Sequence, residues 1–251
     1  MKIFSRLIVV LVASCFCSGL PFVAQGQQVQ PAPVRPLLAQ TTVSPSVAHP
    51  LTIGGGSGGV ESPALKSLTA IETGHKLREK KEFDAALRAY QDAVRLQPED
   101  AGAWFYLGRG YVDLDRFEEA RFSFKRSILV APEDPANWFG LCLAHYLLED
   151  YESAIGTCKE AVRLDPEQAD GWAWMGLAYT RQRQWDKAIQ CLERATALGT
   201  KNSQAWYTLG IGYARQGQRT KVLRVYRRLQ ELDPEQASKF FDAAVSPQTR
   251  I

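Results

Sequence analysis

The chain has 251 residues and a formal net charge of +3, from 30 Lys and Arg against 27 Asp and Glu. Its 45% hydrophobic and 23% charged residues are ordinary for a globular protein. Four basic residues and one acid precede Ser67, so the rest of the chain holds 26 residues of each sign. This balance argues against a nucleic-acid-binding domain, which usually carries a basic excess.

Residues 1–26 are predicted to form a secretory signal peptide. Lys2 and Arg6 provide a positive start, and residues 7–20 follow without a charged side chain. This apolar run is too short for a membrane-spanning helix, which needs about 20 residues, and it has the length found in secretory signals. Small residues at Ala24 and Gly26 predict cleavage after Gly26. The mature protein is therefore expected to be periplasmic or secreted.

Two other interpretations of this segment stay open. It could remain uncleaved as a membrane anchor. Alternatively, residues 12–15 resemble a bacterial lipoprotein box, in which Cys15 becomes the lipidated first residue of an outer-membrane lipoprotein, although the apolar run before it is short. The intact mass of the mature protein distinguishes the three outcomes.

Residues 27–66 are rich in Gln, Pro, Ser and Gly and are predicted to be a disordered tether. Such a composition cannot bury enough apolar surface to offset the conformational entropy lost on folding. The Gly-rich run at 54–59 lacks the Lys-Ser/Thr ending of a phosphate-binding loop. We expect the folded domain to span residues 67–245 and residues 246–251 to be a disordered tail.

A repeat of 34 residues runs through the folded part. Trp residues recur at this spacing at Trp104, Trp138, Trp172 and Trp206. A Gly or Cys follows each Trp by four residues, and a Tyr or His follows by seven. Small residues and Pro keep the same period, for example at Ala86, Ala120, Ala154 and Ala188, and at Pro98, Pro132 and Pro166. A period of this length indicates stacked structural units.

This pattern resembles the tetratricopeptide repeat. The resemblance divides the chain into five units, at residues 67–100, 101–134, 135–168, 169–202 and 203–236. It implies an all-α fold, a right-handed α-solenoid of five helical hairpins. In the second unit, apolar residues at intervals of three and four predict helices at 101–114 and 117–130. The first unit departs from the pattern, because Ala70 stands where the Trp is expected.

The C-terminal part carries two further features. Residues 234–245 are predicted to be a capping helix with Phe240, Phe241 and Ala244 on one side, and a frayed tail is the alternative. A basic cluster in the last hairpin comprises Arg215, Arg219, Lys221, Arg224, Arg227 and Arg228. It could meet an acidic partner or anionic lipid, or it could be a solvated helix face. A smaller acidic group surrounds the turn of the second unit, at Asp113, Asp115, Glu118 and Glu119.

In tetratricopeptide proteins the first helix of each unit lines a concave groove, and the resemblance carries a partner-binding role onto this chain. The groove candidates are Phe105, Arg109, Phe139, Leu143, Tyr146, Leu177, Arg181, Tyr207, Ile211 and Arg215, with Ile71, His75 and Arg78 in the first unit. Aromatic residues and Arg commonly anchor protein interfaces. We expect a partner segment with apolar anchors and some acidic groups. The alternative is that Phe139, Leu143 and Tyr146 simply pack against neighbouring helices.

Some members of this family hold a terminal carboxylate with Lys and Asn in their first units. Ile71 and His75 occupy the corresponding positions here, so this ligand is not expected.

No catalytic, cofactor-binding or metal site is predicted. The three His are far apart in the sequence, and no His, Cys or Glu spacing matches a metal site or an activated nucleophile. Cys142, Cys158 and Cys191 would remain after signal removal and fall on positions expected to be buried. A bridge between Cys142 and Cys158 would join the two helices of the third unit, and this question stays open.

These features favour a non-catalytic scaffold or adaptor of the bacterial cell envelope. The alternative is a lipid-anchored assembly factor, resembling the repeat lipoproteins that help to mount pili or outer-membrane machinery, which Cys15 and the long tether suggest. An enzyme with a repeat accessory is a third class, but the chain has no room for a catalytic domain. The partner and the oligomeric state do not follow from the sequence.

Overall fold

The computed structural model describes residues 62–245. The predicted signal peptide, Cys15, most of the predicted tether and the tail at 246–251 lie outside the described residues. Within the described range the fold is all-α, an α-solenoid of helical hairpins. The helices are α1 Pro63–Glu79, α2 Phe83–Leu96, α3 Ala101–Asp113, α4 Phe117–Val130, α5 Pro135–Leu147, α6 Tyr151–Leu164, α7 Ala169–Arg181, α8 Trp185–Ala197, α9 Ser203–Arg215, α10 Arg219–Leu232 and α11 Pro234–Phe240, followed by a π-helical turn at Phe241–Val245.

The helices pair in chain order into five hairpins, each made of a first and a second helix. Each second helix then packs against the first helix of the next hairpin, from α2 on α3 to α8 on α9. This nearest-neighbour packing confirms the predicted stack. In the second unit, α4 has the predicted bounds and α3 ends one residue before the predicted end. No helix among residues 62–245 combines the length and the apolar composition needed to cross a membrane.

The predicted boundary between tether and fold was wrong by one helical turn. Helix α1 begins at Pro63, so residues 63–66 are helical and do not belong to a disordered tether. The Ser62 hydroxyl accepts a hydrogen bond from the Leu65 N–H at 3.3 Å, which caps the helix. Pro63 suits the first helical position because the N–H that it lacks would have no partner there.

The repeated Trp residues tie each unit to the unit before it. The indole Nε1 of Trp104 donates a hydrogen bond to the Pro98 carbonyl at 2.8 Å. Equivalent bonds join the later Trp side chains to the carbonyl groups six residues earlier, from Trp138 to Pro132, Trp172 to Pro166 and Trp206 to Thr200. In the first unit, Ala70 instead lines an open cavity of about 490 Å³. The first unit therefore has an open space at the position where the other units have an indole ring.

Glycine and aromatic side chains set the spacing inside the hairpins. A Cβ on Gly74 would lie 2.3 Å from the Tyr90 ring, and one on Gly108 would lie 2.8 Å from the Phe124 ring. Each ring therefore occupies the space that a larger residue on the first helix would need.

In the third unit, a disulfide takes the place of this packing. Cys142 and Cys158 hold the positions one period after Gly108 and Phe124, and they are bonded to each other, with their Cα atoms 5.1 Å apart. The bond joins α5 to α6 and answers the question that the sequence left open. Cys191 is a buried free thiol, and burial raises its pKa to about 11.

The C-terminal segment covers the last hairpin, as predicted, with one difference. Phe240 is fully buried, and its ring occupies the space next to Gly210. Ala244 is also buried, but Phe241 is exposed, so its predicted place on the buried side was wrong. Adjacent helical residues point about 100° apart, and Phe241 instead packs its ring 5.4 Å from the ring of Tyr226.

Candidate partner-binding surface

The first helices of successive units touch one another and form a shared surface. Contacts run from α1 to α3, from α3 to α5, from α5 to α7 and from α7 to α9. All the predicted groove residues belong to these helices, and we refer to this side of the stack as the first-helix wall. What a partner could reach depends on which of those side chains remain accessible there.

Five of the ten candidates are core residues. Phe105, Phe139, Leu143, Tyr146 and Leu177 are between 2% and 8% exposed. The Tyr146 ring, for example, lies 4.9 Å from the Trp174 ring of α7 and 5.5 Å from the Tyr151 ring of α6. These bulky side chains fill the gaps between helices, so the alternative interpretation is correct for Phe139, Leu143 and Tyr146. Phe105 and Leu177 are buried to a similar degree, so they too pack between helices and are not open to a partner.

The accessible candidates concentrate near the C-terminal end of the wall. Tyr207 and Ile211 are half-buried and Arg215 is exposed. A spacing of four residues places these three on one face of α9. The Arg215 guanidinium lies 4.8 Å above the Trp185 ring, which holds this cation beside an apolar surface. This face, called the α9 surface below, offers an aromatic group, an aliphatic group and a cation in one row.

Arg181 on α7 adds a second accessible cation to this end of the wall. Its side chain is exposed, and its guanidinium lies 5.6 Å from the centre of the Tyr151 ring. Its Nε lies 3.5 Å from the Tyr146 hydroxyl, which accepts from it. The head of Arg181 is therefore positioned by two tyrosines while it stays open to solvent.

The N-terminal end of the wall contains a compact polar cluster. The Arg78 guanidinium forms two hydrogen bonds to the Asp113 carboxylate, and the two side chains are 18% and 10% exposed. The His75 Nδ1 lies 3.1 Å from the Tyr90 hydroxyl, and the His75 ring meets the edge of the Tyr106 ring at 4.4 Å between centroids. These contacts engage His75 and Arg78 within the fold.

Arg109, on α3, gives this cluster a second guanidinium. Burial lowers the pKa of Arg109, and the nearby charge of Arg78 lowers it further. Burial also lowers the pKa of His75, and the positive charges of Arg109 and Arg78 lower it further. The neutral form of the imidazole is therefore favoured. The cluster thus combines two cationic side chains with one carboxylate.

Asp113 is a wall residue. Its place in the sequence groups it with the acids around the turn of the second unit, but its carboxylate pairs with Arg78 across the wall. The two residues are 35 positions apart, as are Tyr146 and Arg181. A separation of one repeat plus one residue therefore brings the ends of successive first helices together. The same separation in the sequence predicts the pairing of Arg78 with Asp113. Trp174, which covers Tyr146, was also missed, because its position holds different residue types in the other units.

The basic cluster of the last hairpin is partly neutralised by acidic side chains at the surface. The Lys221 ammonium lies 3.2 Å from the Glu193 carboxylate, and the Arg228 guanidinium lies 2.6 Å from Glu231. Arg224 and Arg227 are exposed on α10. Across residues 62–245, His, Cys, Asp and Glu form no group of three that could hold a metal ion.

The sequence profile of one protein family matches most of the chain. Residues 47–246 match the family described as "Cilia and flagella-associated protein 70 C-terminal domain", a tetratricopeptide-repeat family. The chain belongs to this family. The comparison with curated proteins found no match.

Solved tetratricopeptide structures share the fold. MamA protein is 24% identical, with a TM-score of 0.55 over 69% of this chain and 94% of that one. YrrB, described as "a TPR protein with an unusual peptide-binding site", is 22% identical, with a TM-score of 0.52 over 69% and 90%. PilF of Pseudomonas aeruginosa is 14% identical, with a TM-score of 0.61 over 72% and 90%. At these identities the likeness establishes the fold alone.

Proposed function

We propose that this protein is a non-catalytic scaffold that binds a segment of a partner protein on its first-helix wall. The observation that carries the proposal is the α9 surface, where the half-buried Tyr207 and Ile211 and the exposed Arg215 form one row. Aromatic residues and Arg supply much of the binding energy in protein interfaces. The peptide-binding site named for YrrB supports a peptide as the class of ligand.

The partner segment should carry apolar side chains next to carboxylates. Tyr207 and Ile211 offer apolar area, while Arg181 and Arg215 place two guanidinium groups beside it. Guanidinium groups bind carboxylates through paired hydrogen bonds. Both cations are exposed, so we expect them to favour the correct partner and to accelerate association more than they increase affinity.

We further propose that the scaffold works in a bacterial cell envelope after export. The apolar run at residues 7–20 and the cleavage pattern at Gly26 support export. The disulfide between Cys142 and Cys158 supports it independently, because such bonds persist in oxidising compartments.

A lipid-anchored assembly factor is the second candidate, and Cys15 is the observation that favours it. Lipidation at Cys15 would add a diacylglyceryl group and remove residues 1–14, which the intact mass of the mature protein would reveal. Partitioning into detergent would accompany that mass. A purely aqueous protein that begins at Gln27 would count against this candidate.

Affinity capture from native envelopes, followed by mass spectrometry, tests the binding surface. Replacing Phe105, Phe139 and Tyr146 would be a poor test, because these side chains are buried and their loss would damage the core. The informative variant is Tyr207→Ser, Ile211→Ser and Arg215→Ser combined, which should lose the captured partner while its thermal unfolding stays cooperative.

A matched control replaces two exposed apolar residues and one Arg elsewhere, at Leu65→Ser, Leu68→Ser and Arg88→Ser. This variant should capture the same partner as the wild-type protein. If the α9 variant also retains the partner, the assignment of the α9 surface is incorrect.

A further inference from the structure

Helix α4 carries two large apolar side chains in solvent. Phe122 is 60% exposed and Leu129 is 73% exposed, the highest values among the exposed large hydrophobic residues at 62–245. They are seven residues apart, so they lie two turns apart on the same face of α4. Helix α4 is the second helix of its unit, and this face is separate from the first-helix wall.

The repeat itself does not require apolar residues at these two positions. The corresponding residues in the other units are Arg88 and Arg95, Gly156 and Arg163, Gln190 and Ala197, and Arg224 and Glu231. In none of these units are both positions apolar and large. Burial within the stack therefore does not explain Phe122 and Leu129, which points to an interaction outside the fold.

The surroundings of Phe122 form a defined patch. The Trp104 ring lies 6.1 Å from the Phe122 ring in an edge-to-face arrangement, and the Arg126 guanidinium lies 5.4 Å from the centre of the Trp104 ring. We call Trp104, Phe122, Arg126 and Leu129 the α4 patch. It combines aromatic residues, an aliphatic residue and Arg, which are typical of interface anchors.

The charges of α4 are arranged symmetrically about Phe122. Glu118 and Glu119 precede it by four and three residues, and Lys125 and Arg126 follow it by three and four. An antiparallel copy of α4, related by a two-fold axis at Phe122, would place its acids opposite the bases of the first copy and its bases opposite the acids. A self-complementary patch of this kind is what a two-fold interface requires.

Local ion pairs do not prevent this arrangement. Glu118 pairs with Arg121, and Glu119 pairs with Arg116 at 2.6 Å, both within α4 or at its start. These pairs are exposed to solvent and so contribute little to stability. The two carboxylates can therefore turn to a facing helix at small cost.

We propose that a second copy of this chain docks on the α4 patch through an antiparallel α4–α4 contact. The contact packs the two Phe122 rings against each other at the two-fold axis and pairs Glu118 and Glu119 with Lys125 and Arg126 across it. Leu129, seven residues from the axis, lies at the edge of the contact, next to the turn that precedes α4 of the other copy. It leaves the first-helix wall free, so a dimer presents two partner-binding surfaces. This gives avidity towards a partner that carries repeated segments.

The mass of the purified mature protein in solution, measured by sedimentation over a wide range of concentration, tests the proposal. Wild-type protein should shift from monomer to dimer with rising concentration. The variant Phe122→Arg/Leu129→Arg should stay monomeric, and it should fold normally because Arg88 and Arg95 occupy the same positions in the first unit. A wild-type protein that stays monomeric throughout, or a variant that dimerises like the wild type, would overturn the proposal.

Charge reversal tests the antiparallel arrangement. Glu118→Lys/Glu119→Lys makes this face of α4 wholly basic, and Lys125→Glu/Arg126→Glu makes it wholly acidic. Each variant alone should dimerise at least about tenfold more weakly than the wild type, and an equal mixture should form a heterodimer. If both variants dimerise like the wild type, the α4 contact is incorrect.

The two proposals in this protein fail independently. The variant Tyr207→Ser/Ile211→Ser/Arg215→Ser should dimerise normally, and Phe122→Arg/Leu129→Arg should still bind a partner segment on the α9 surface. If wild-type protein is monomeric and the α4 patch captures a different protein, the patch is an interface but the second-copy assignment is wrong.

Discussion

Phe124 shows at the residue scale how single atoms set the distance between units. Its ring is fully buried between Gly108 of its own unit and Gly140 of the next. A Cβ on Gly140 would lie 2.4 Å from this ring, whereas a Cβ on Gly156 would have no neighbour within 4 Å. Glycine therefore favours stability at position 140, where there is no room for a side chain, and lowers stability at position 156, although both residues lie inside helices.

Alanine substitution at these two glycines should change the stability of the protein in opposite directions. Gly140→Ala should destabilise the protein by roughly 1–3 kcal/mol, because Phe124 or α5 must move to accept the methyl group. Gly156→Ala should stabilise it by roughly 0.5–1 kcal/mol, because Ala loses less conformational freedom on folding within α6. Urea unfolding of the two variants measures both changes. Equal effects would mean that α4 and α5 are not in close contact at Gly140.

At the scale of the element, the hairpins share the same turn conformation and similar packing between their two helices, with exceptions in single units. The turn between first and second helix has a left-handed residue at the same position in every unit, namely Lys81, Asp115, Glu149, Arg183 and Gly217. Only the last is Gly, the residue that adopts this conformation without steric cost. The third hairpin differs most, because a disulfide replaces the ring packing of its neighbours.

Removing the disulfide should weaken the third hairpin strongly. Cys142→Ala/Cys158→Ala should cost about 3 kcal/mol, because the bond closes a loop across a separation of 16 residues and restricts the unfolded chain. Thermal unfolding with and without reductant measures the effect. Reductant should lower the melting temperature of the wild type and leave that of the variant unchanged. A wild-type protein that does not respond to reductant would contradict the bond.

At the scale of the whole molecule, stability comes from contacts between neighbouring units. The Trp of each later unit bonds to the unit before it, while the first unit has Ala70 and an open cavity. At the other end, Phe240 covers the last hairpin. The C-terminal end of the stack is therefore covered by a packed side chain, whereas the N-terminal end has an open cavity.

Filling that room should stabilise the stack. Ala70→Trp should raise the free energy of unfolding by roughly 1–2 kcal/mol, because the indole buries apolar area in the cavity. The gain comes from packing alone, because the carbonyl six residues earlier, at Ala64, already lies inside α1. Trp104→Ala is the matched opposite and should cost at least about 2 kcal/mol, since it removes both packing and the bond to Pro98. Urea unfolding of both variants tests this, and a destabilising Ala70→Trp would mean that the cavity cannot admit an indole.

The sequence by itself determined the period, the five units, the all-α fold and the bounds of α4, because these depend on patterns that repeat within 34 residues. It also singled out the helices that form the first-helix wall. Repetition is a local property of the chain, so it can be read without knowing what each residue touches.

Only the tertiary structure decided which wall residues are open. Leu143 and Ile211 hold equivalent positions in their units, yet one is buried and the other is half-buried. The pairing of Arg78 with Asp113, the bridge between Cys142 and Cys158, and the exposure of Phe122 were likewise decided there. The physical reason is that accessibility depends on the size of side chains contributed by neighbouring helices, which vary from unit to unit while the helical period stays the same.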